Sequence, residues 1–370
     1  MADKIGIAIL AAGMGKRMGV STAKPLIPLM GRCLVDYPID AAKEFGAEIG
    51  AEIKLGVVVG HQKENVESHV SKVHSSLSPS FPVQEQQLGT ADALKSYFKG
   101  CPWSEDTDYT MVLCADTPML TAEELLTLWN EMQGKSFDAV AATFSVEKPY
   151  GYGRILRGSK GFKIVEEKDA SDKEREVKEV NSGLYIFKTK DIKEALGTID
   201  SKNKAGEFYL TDVFQQDKNV GAVSFEDAKP FQGINNPQQL SDALHDLKIR
   251  INRGHQANGV LVLDTAHTYI EPSVVLETGA TIYPNCFLHG NTVIKEGAVI
   301  EPGCIIKDSH IDKGVKVKGY SYFEEAKVSA KSQVGPYARL RPGADLGEGC
   351  KVGNFVEIKK AYLEKDVSIS

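Results

Sequence analysis

Residues 7–18 read IAILAAGMGKRM, and this stretch decides the fold of the first half of the chain. Its apolar part is too short for a helix and ends at glycine, so it predicts a buried strand followed by a turn. The two glycines let the backbone approach a ligand, and Lys16, Arg17 and Lys24 supply positive charge. Bare N–H groups and cations bind phosphate. The turn therefore predicts a phosphate site, and an ordinary tight turn between strand and helix is the alternative.

Two familiar phosphate-binding patterns do not fit this turn. The Walker pattern requires Ser or Thr after Gly-Lys, whereas Arg17 follows Gly15-Lys16. The dinucleotide-binding pattern places its third glycine one residue earlier than Gly19. The turn alone therefore leaves the class of phosphate site open.

The composition limits the class of protein. A chain of 370 residues is expected to form two domains, and its 42% hydrophobic and 25% charged residues are ordinary for a globular protein. The net charge of −6 and the lack of a basic tract argue against general nucleic-acid binding. No apolar run approaches the roughly 18 residues of a membrane span. The N-terminus also lacks a signal-peptide pattern, so a cytoplasmic location is expected.

Cysteine usage agrees with this location. Six cysteines are scattered without a CxxC pair, which predicts free thiols in a reducing compartment. No histidine or cysteine motif has the spacing of a zinc site. Any metal is therefore expected to be held by oxygen atoms.

Short apolar runs alternate with amphipathic segments through the first half of the chain. Thr121 and Glu124 form the capping box of one predicted helix. Other helices are predicted at 36–45 and 64–73, and strands at 55–59, 111–116 and 139–144. This alternation predicts a Rossmann-like, mainly parallel α/β sheet with helices on both faces.

In such a sheet, ligands bind beyond the carboxyl ends of the strands. The 13–17 turn, the Gly89-Thr90 turn and Asp116 are all predicted to lie at that edge. A carboxylate at the end of a strand, such as Asp116, is suited to bind Mg²⁺ beside phosphates. The alternative is that Asp116 only stabilises a turn or caps a helix. The convergence of the three features favours the metal role for Asp116.

The loops predicted between residues 145 and 240 carry polar groups of the kind that form hydrogen bonds with sugar hydroxyls. Glycine-flanked turns, amides and carboxylates occur at 151–155, 165–170, 179–187, 207–212 and 233–237. The motif at 207–212 is predicted to open a helix. Each of these polar residues has an alternative role as an ordinary turn residue.

Eight motifs follow one another between residues 10 and 236: LAAGMGKRM, QLGTADAL, CADTP, GYGRI, VEEKDA, EVNSGLY, EFYLTD and GINN. In this order they resemble the nucleotidyltransferase domain of the bacterial bifunctional UDP-N-acetylglucosamine pyrophosphorylase/glucosamine-1-phosphate N-acetyltransferase family. The resemblance covers nearly the whole chain. It implies Mg²⁺-dependent transfer of UMP from UTP to N-acetylglucosamine-1-phosphate. An enzyme of other base or sugar specificity and a non-catalytic scaffold are the alternatives.

The resemblance also implies roles for individual residues. Those expected to be catalytic are Arg17, Lys24 and Asp116. Those expected to bind the nucleotide are Leu10, Ala11, Ala12, Gly13, Gly15, Lys24, Gln84, Gly89 and Thr90. Those expected to bind the sugar are Gly151, Glu166 and Asn181, and those expected to bind Mg²⁺ are Asp116 and Asn235. Where the family has aromatic-Gly-Asp, this chain has Cys114-Ala115-Asp116, so the aspartate is retained.

The second half of the chain is a repeat of period six. This period fits neither a helix nor an alternating strand and is typical of a parallel β-helix with about 18 residues per coil. After Ile306 and after Ile358 the next apolar residue follows at a spacing of five instead of six. The apolar positions of the repeat are Ile270, Leu276, Ile282, Leu288, Ile294, Ile300, Ile306, Ile311, Val317, Val328, Val334, Leu340, Leu346, Val352, Ile358, Leu363 and Ile369. Cys286 and Cys304 are expected to stack in adjacent coils as core residues, without a disulfide.

Two domains joined by a linking helix are predicted. Residues 1–235 form the nucleotidyltransferase domain and 257–370 form the β-helix. Between them, 236–256 form a linking helix, which the helical spacing of its leucines indicates.

The sequences GPYARLRPGA at 335–344 and VGNFVEIKK at 352–360 resemble the acetyltransferase half of the same family, a left-handed β-helix that forms homotrimers. The resemblance implies that Arg341 and Lys359 bind glucosamine-1-phosphate, because two cations suit a phosphate dianion. Solubilising surface charges are the alternative. The chain stops at Ser370, before the Gly-His segment and the acetyl-CoA coils of the family. A truncated chain without acetyltransferase activity is therefore expected, and a natural one-activity relative is the alternative.

Overall fold

The structure is a computed structural model that describes residues 3–158, 161–215 and 219–370. It divides into two compact units. The first unit comprises residues 1–28 and 32–240, and the second comprises residues 29–31 and 241–370.

Helices and strands alternate through the first unit. Its strands, with one residue of β2 belonging to the second unit, are β1 (Lys4–Leu10), β2 (Pro28–Leu29), β3 (Arg32–Cys33), β4 (Glu52–Val58), β5 (Tyr109–Cys114), β6 (Ala139–Ser145), β7 (Arg154–Arg157), β8 (Phe162–Val165), β9 (Glu179–Lys188) and β10 (Val220–Phe225). Its α-helices are α1 (Asp36–Ile49), α2 (Lys63–Val73), α3 (Thr90–Gly100), α4 (Ala122–Lys135), α5 (Asp172–Arg175) and α6 (Thr189–Leu196). Short 3-10 helices lie at Lys16–Met18, Lys24–Leu26, Ser75–Leu77, Pro102–Asp106, Leu210–Val213 and Lys229–Phe231.

The predicted Rossmann-like sheet is confirmed. Its strand order is β10-β6-β9-β5-β1-β4, and β7 and β8 form a hairpin attached to β9. Strand β1 lies between β4 and β5 and is parallel to both. Thr121 and Glu124 form the predicted capping box at the start of α4. The apolar run of the opening stretch is therefore an inner strand of the sheet.

Strand β1 is buried on both faces because its side chains alternate between two apolar layers. Ile7 and Ile9 pack into the layer that includes Phe45 of α1 and Leu125 of α4. Ala8 packs into the other layer with residues of α3. An inner strand of a parallel sheet covered by helices has this all-apolar character.

Strand β9 breaks the parallel order of the main sheet, and the β7–β8 hairpin attached to it is antiparallel as well. Strand β9 is antiparallel to both of its neighbours, β5 and β6. The apolar pattern of a strand carries no information about its direction, because side chains alternate in the same way in either sense. The direction is set by the connections, which the sequence pattern did not reveal.

The helix predicted to open at 207–212 is wrong, since only a 3-10 turn, Leu210–Val213, forms there. The backbone of this segment is bonded to another part of the chain. Phe208 N donates to Leu88 O at 2.7 Å, and Ala91 N donates to Phe208 O at 3.0 Å. Groups committed to these bonds are not available to an α-helix.

The second unit contains three parallel sheets, each built from every third strand. One sheet contains β11 (Leu261–Val262), β14 (Thr281–Ile282), β17 (Val299–Ile300), β20 (Lys316–Val317), β23 (Gln333–Val334), β26 (Lys351–Val352) and β29 (Ser368–Ile369). The next contains β12 (Tyr269–Ile270), β15 (Phe287–His289), β18 (Ile305–Lys307), β21 (Tyr322–Glu324), β24 (Arg339–Leu340) and β27 (Glu357–Ile358). The last contains β13 (Val275–Leu276), β16 (Val293–Ile294), β19 (His310–Ile311), β22 (Lys327–Val328), β25 (Ala344–Leu346) and β28 (Ala361–Leu363). This arrangement confirms the predicted parallel β-helix of hexapeptide repeats.

The apolar positions of the repeat form the core of the β-helix, as predicted, and Phe323 belongs to it as well. Phe323 pairs with Ile306 and Leu340 in the adjacent coils. It also lies six residues after Val317, so the repeat itself was a signal for it. Ile294 pairs with Ile311 in the next coil. The spacing of five residues between Ile306 and Ile311 therefore corresponds to a coil that is one residue shorter.

The two cysteines of adjacent coils are free and fully buried, as expected. Phe287, which follows Cys286, pairs with Ile305, which follows Cys304. The two thiols therefore occupy equivalent positions one coil apart.

Helix α7 (Pro237–Ala257) precedes the first coil. Leu247 is buried, and Ile251 packs against the β-helix core. Asn252 Nδ2 donates to Thr265 O at 3.0 Å and to Thr268 O at 2.8 Å.

Among the residues that the structure describes, no helix has both the length and the apolar character needed to cross a membrane.

Candidate active site

The carboxyl ends of three parallel strands meet at one edge of the first unit. Leu10, at the end of β1, pairs with Val58 of β4 and with Cys114 of β5. The loops that follow these strands therefore begin side by side. In open α/β sheets the ligand crevice lies at this edge.

Four polar side chains from distant parts of the sequence meet there, and we call Arg17, Lys24, Asp116 and Asn235 the Lys24 cluster. Lys24 Nζ donates to Asp116 Oδ2 and, at 3.0 Å, to Asn235 Oδ1. Arg17 Nη2 donates to the same Asn235 oxygen at 3.1 Å. The cluster contains every residue that was predicted to be catalytic or to bind the metal.

The backbone around the Lys24 cluster holds these side chains in place. Gly15 has a left-handed conformation (φ 59°), and a Cβ there would lie 2.7 Å from Lys24 Cβ. On the other side, Ile234 N donates to Asp116 O at 3.0 Å, and Asn235 N donates to Gln239 Oε1 at 2.7 Å. Only glycine fits the first position, which explains one glycine of the opening turn.

The donor atoms of the cluster suit a hard cation. A carboxylate oxygen of Asp116 and an amide oxygen of Asn235 both contact one ammonium group, so the two oxygens converge on a point that a positive charge already fills. Carboxylate and amide oxygens are ligands that Mg²⁺ prefers. The residues present therefore fit a magnesium ion.

A cavity of about 460 Å³ opens beside the cluster. Arg17, Asp116 and Asn235 line one part of it, and Gly151 and Ser182 also line it. Cys114 lies in its wall, and burial raises the pKa of this thiol to about 12. One cavity thus joins the predicted metal ligands to one of the predicted sugar-binding residues.

A second cavity, of about 370 Å³, lies beyond the loop that follows β1. Met14 and Gln84 are among its lining residues. Gln84 is almost completely buried, and its Nε2 donates to Gly89 O at 3.0 Å and to Asp92 Oδ2 at 2.8 Å. Gln87, which sequence reasoning missed, also lines this cavity and donates to Ala12 O at 2.7 Å. Gln84 therefore shares this cavity with Met14, the residue after the predicted nucleotide-binding residues 10–13. The side chain of Lys16 lies outside what the structure describes.

Gly89 and Thr90 join two motifs of the chain. Thr90 Oγ1 accepts a hydrogen bond from Leu210 N at 3.0 Å. A Cβ on Gly89 would lie 2.5 Å from the backbone oxygen of Phe208, and Gly89 has φ 118°. These contacts connect the QLGTADAL motif with the EFYLTD motif.

Replacing Gly89 with alanine is expected to lower the free energy of unfolding by about 1–3 kcal/mol, because the new Cβ meets backbone atoms and the conformation is strained. Urea unfolding of the first unit measures this effect. Gly134, inside α4, is the matched control, since a Cβ there meets nothing within 4 Å. Gly134→Ala is expected to be neutral or stabilising, and an equal loss of stability in both variants would contradict the explanation.

The other two predicted sugar-binding residues, Glu166 and Asn181, flank Gly153. Asn181 N donates to Gly153 O at 2.9 Å, and a Cβ on Gly153 would lie 3.4 Å from Glu166 Oε2. Thr211 Oγ1 donates to Glu166 Oε1 at 2.9 Å, and burial raises the pKa of this carboxyl. Glu166 and Asn181 therefore lie together, and Thr211 is a neighbour that sequence reasoning missed.

Arg154 is a third residue that sequence reasoning missed. It is almost completely buried, and its guanidinium contacts Glu167 Oε2 at 2.7 Å and donates to the backbone oxygen of Tyr152. Gly151 N donates to the same Glu167 oxygen at 3.3 Å. A charged residue at the start of an apolar strand was the available signal. Arg154 fastens the GYGRI turn to the VEEKDA motif.

Arg341 and Lys359 lie in the second unit. Leu340 pairs with Ile358, so Arg341 and Lys359 are the next residues of adjacent coils. Arg341 Nη1 donates to Glu357 Oε1 at 2.8 Å. Their binding of glucosamine-1-phosphate stays a prediction, as does the homotrimer.

Comparison with known proteins adds two family matches. The MobA-like NTP transferase domain matches residues 7–182, and the GMPPB C-terminal domain matches residues 270–370. The chain is 37% identical to the bifunctional protein GlmU of Clostridioides difficile over 362 residues, which cover 96% of this chain and 76% of that protein. It is 39% identical to the bifunctional protein GlmU of Thermosipho africanus, over 97% of this chain and 76% of that protein. The same protein of Caldicellulosiruptor saccharolyticus is also 39% identical, over 99% of this chain and 78% of its own length.

Proposed function

This chain belongs to the GlmU family, and from that premise we propose that it transfers UMP from UTP to N-acetylglucosamine-1-phosphate with Mg²⁺ as its cofactor. The similarity to the GlmU proteins and to the NTP transferase domain makes it a sugar-phosphate nucleotidyltransferase. The base, the sugar and the metal are our proposals.

One observation carries the proposal. The Lys24 cluster brings two cations and two oxygen ligands to the cavity that Gly151 also lines. The cations suit the phosphates, and the oxygens suit a divalent metal. A scaffold without catalysis has no need for this combination.

Asp116 and Asn235 are the residues that would hold Mg²⁺. Nucleotidyltransferases of this kind generally use a divalent metal. When bound, Mg²⁺ neutralises charge on the phosphate oxygens. The Asp116 carboxylate is also paired with Lys24 Nζ.

The chemical step needs little from the protein beyond positioning. The phosphate of the sugar-1-phosphate attacks the α-phosphorus of UTP, so one P–O bond forms while the bond to pyrophosphate breaks. A phosphate monoester already carries a charge of about −1.5 to −2 at neutral pH, so no general base is required. Catalysis therefore consists of in-line placement and charge neutralisation. Arg17 and Lys24 are the fixed cations for this purpose, and the 13–15 backbone is the cradle for the triphosphate.

The other predicted residues select the two substrates. Gln84 and residues 10–13, beside the second cavity, are proposed to contact uridine. Glu166 and Asn181, with Gly151, are proposed to bind the N-acetylglucosamine unit. Carboxylate and amide groups on loops are suited to sugar hydroxyls.

Pyrophosphate release is the test of this function. The full chain is assayed with UTP, ATP, GTP or dTTP against N-acetylglucosamine-1-phosphate, glucose-1-phosphate and mannose-1-phosphate. We expect the highest kcat/KM with UTP and N-acetylglucosamine-1-phosphate, and we expect EDTA to abolish release and added Mg²⁺ to restore it. A higher kcat/KM with another pair would establish the alternative specificity. No release with any pair would identify a non-catalytic scaffold.

A further inference from the structure

A group of metal-binding side chains lies in the first unit outside the Lys24 cluster. It consists of Cys33 in β3, Asp36 at the start of α1 and His69 in α2. One ligand atom from each lies within 4.8 Å of the others. Thiolate, imidazole and carboxylate groups are all ligands of zinc in proteins.

Hydrogen bonds already orient these side chains. His69 Nε2 lies 2.9 Å from Asp36 Oδ1, and His69 Nδ1 lies 3.9 Å from Cys33 Sγ. Cys33 N donates to Asp36 Oδ2 at 2.8 Å. In a tetrahedral zinc site two ligand atoms are about 3.5 Å apart. Asp36 and Cys33 face different nitrogens of the His69 ring, so binding requires this ring to turn until one nitrogen points at the ion.

Neighbouring residues form hydrogen bonds and ion pairs that hold Asp36 in place. His74 is buried, and its Nε2 lies 2.9 Å from Asp36 Oδ1. Its Nδ1 lies 3.7 Å from Asp40, which in turn is paired with Arg32. Carboxylates around a zinc site are usually held by such second partners.

We propose that Cys33, Asp36 and His69 bind a zinc ion in a site separate from the magnesium site of the Lys24 cluster. The two sites differ in chemistry, because sulfur and nitrogen ligands favour zinc and oxygen ligands favour magnesium. Asp36 is buried, whereas Cys33 and His69 are partly exposed and leave a path for the ion. A thiolate and an imidazole must lose their protons when the ion binds, so binding strengthens as the pH rises.

The site connects the segment after Lys24 to α2. Cys33 Sγ lies 3.5 Å from Leu26 O, and Val35 N donates to Pro25 O at 3.0 Å. An ion held by Cys33 and by His69 of α2 would therefore tie the Lys24-Pro25 segment to that helix. Bound zinc is expected to raise the Tm of the chain for this reason.

The sequence contains no indication of such a site, because its ligands do not form a local motif. Cys33 and Asp36 are close in the sequence, but His69 follows on a different helix. The residues come together only because the fold brings the start of α1 beside His69 of α2. From the sequence, any metal was expected to be held by oxygen atoms alone. The proposed zinc site differs from that expectation, because it includes a sulfur and a nitrogen ligand.

Titration of the chelator-treated full chain with Co²⁺, in the presence of excess Mg²⁺, tests the proposal. We expect one Co²⁺ per chain with a thiolate-to-cobalt absorption band, and displacement of that band by Zn²⁺. Cys33→Ser is expected to abolish the band. His69→Gln is expected to weaken Zn²⁺ binding by at least tenfold, and His74→Gln by about 10–100-fold. Far-UV circular dichroism verifies that each variant is folded.

Cys114→Ser is the matched control, because Cys114 is also a free cysteine near an aspartate, Asp116, and lies outside the proposed zinc site. The control is expected to keep the cobalt band. The absence of a band in the intact chain, or a band that survives Cys33→Ser, would show that the group is only an ion-pair network. Unchanged Zn²⁺ affinity in folded His69→Gln would overturn the proposal in the same way.

Discussion

Asp116→Ala is expected to lower kcat for pyrophosphate release by at least about 10³-fold while the fold remains intact. The carboxylate is one of two oxygen ligands proposed for Mg²⁺, and Asn235 alone supplies no negative charge to hold the ion. The change leaves Lys24 bonded to Asn235, so the loop around the cluster keeps a contact. Steady-state kinetics over a range of Mg²⁺ concentrations measures the effect.

Asp138 provides the matched control for this substitution. It also pairs with a lysine, since Lys188 Nζ lies 2.8 Å from Asp138 Oδ1, but it lies outside the cavity beside the Lys24 cluster. Asp138→Ala removes the same side chain and a comparable ion pair. We expect its kcat to stay within about twofold of the parent, because exposed ion pairs contribute little. Near-normal turnover in Asp116→Ala would refute the metal assignment.

Lys24→Met is the second substitution with a large expected effect. It keeps the length of the side chain and removes the ammonium group that bridges Asp116 and Asn235. We expect kcat/KM for UTP to fall by about 10²–10³-fold, because a fixed cation that meets developing phosphate charge is lost. Pyrophosphate release at varied UTP concentrations measures this ratio.

Lys188→Met is the corresponding control, and it removes the partner of Asp138. We expect no more than a twofold change in kcat/KM for this variant. The double variant Lys24→Met with Asp116→Ala is expected to lose less than the sum of the two single effects, since the two groups contact each other. Full activity of folded Lys24→Met would show that this lysine only neutralises Asp116.

The fold was largely predictable because its signals are local and periodic. The run at 7–10 and the alternation that follows indicated the inner strands of an α/β sheet, and the period of six indicated the β-helix. Buried strands require apolar residues whatever their partners are, so composition and spacing suffice to find them. The antiparallel direction of β9 was not predicted, because an alternating pattern of side chains is the same for either direction of a strand.

The sequence nominated residues for the candidate site but gave no information on the contacts between them. Motifs nominated Lys24, Asp116 and Asn235 individually, and the structure adds that one ammonium group touches both oxygens. The role of Arg154 was not predicted, because a charged residue at the start of an apolar strand does not identify the partners that surround it once it is buried. Partners of this kind are decided by packing between elements far apart in the chain.

By itself the sequence determined the two architectures, the apolar core positions and the polar residues at the ends of the strands. Each of these follows from neighbours a few residues apart, whose spacing is written in the chain. Only the tertiary structure decided that Gly89 packs against Phe208 and that Cys33, Asp36 and His69 share one site. The physical reason is that such contacts depend on where the packing of whole helices and strands brings distant residues, and no local period records that position.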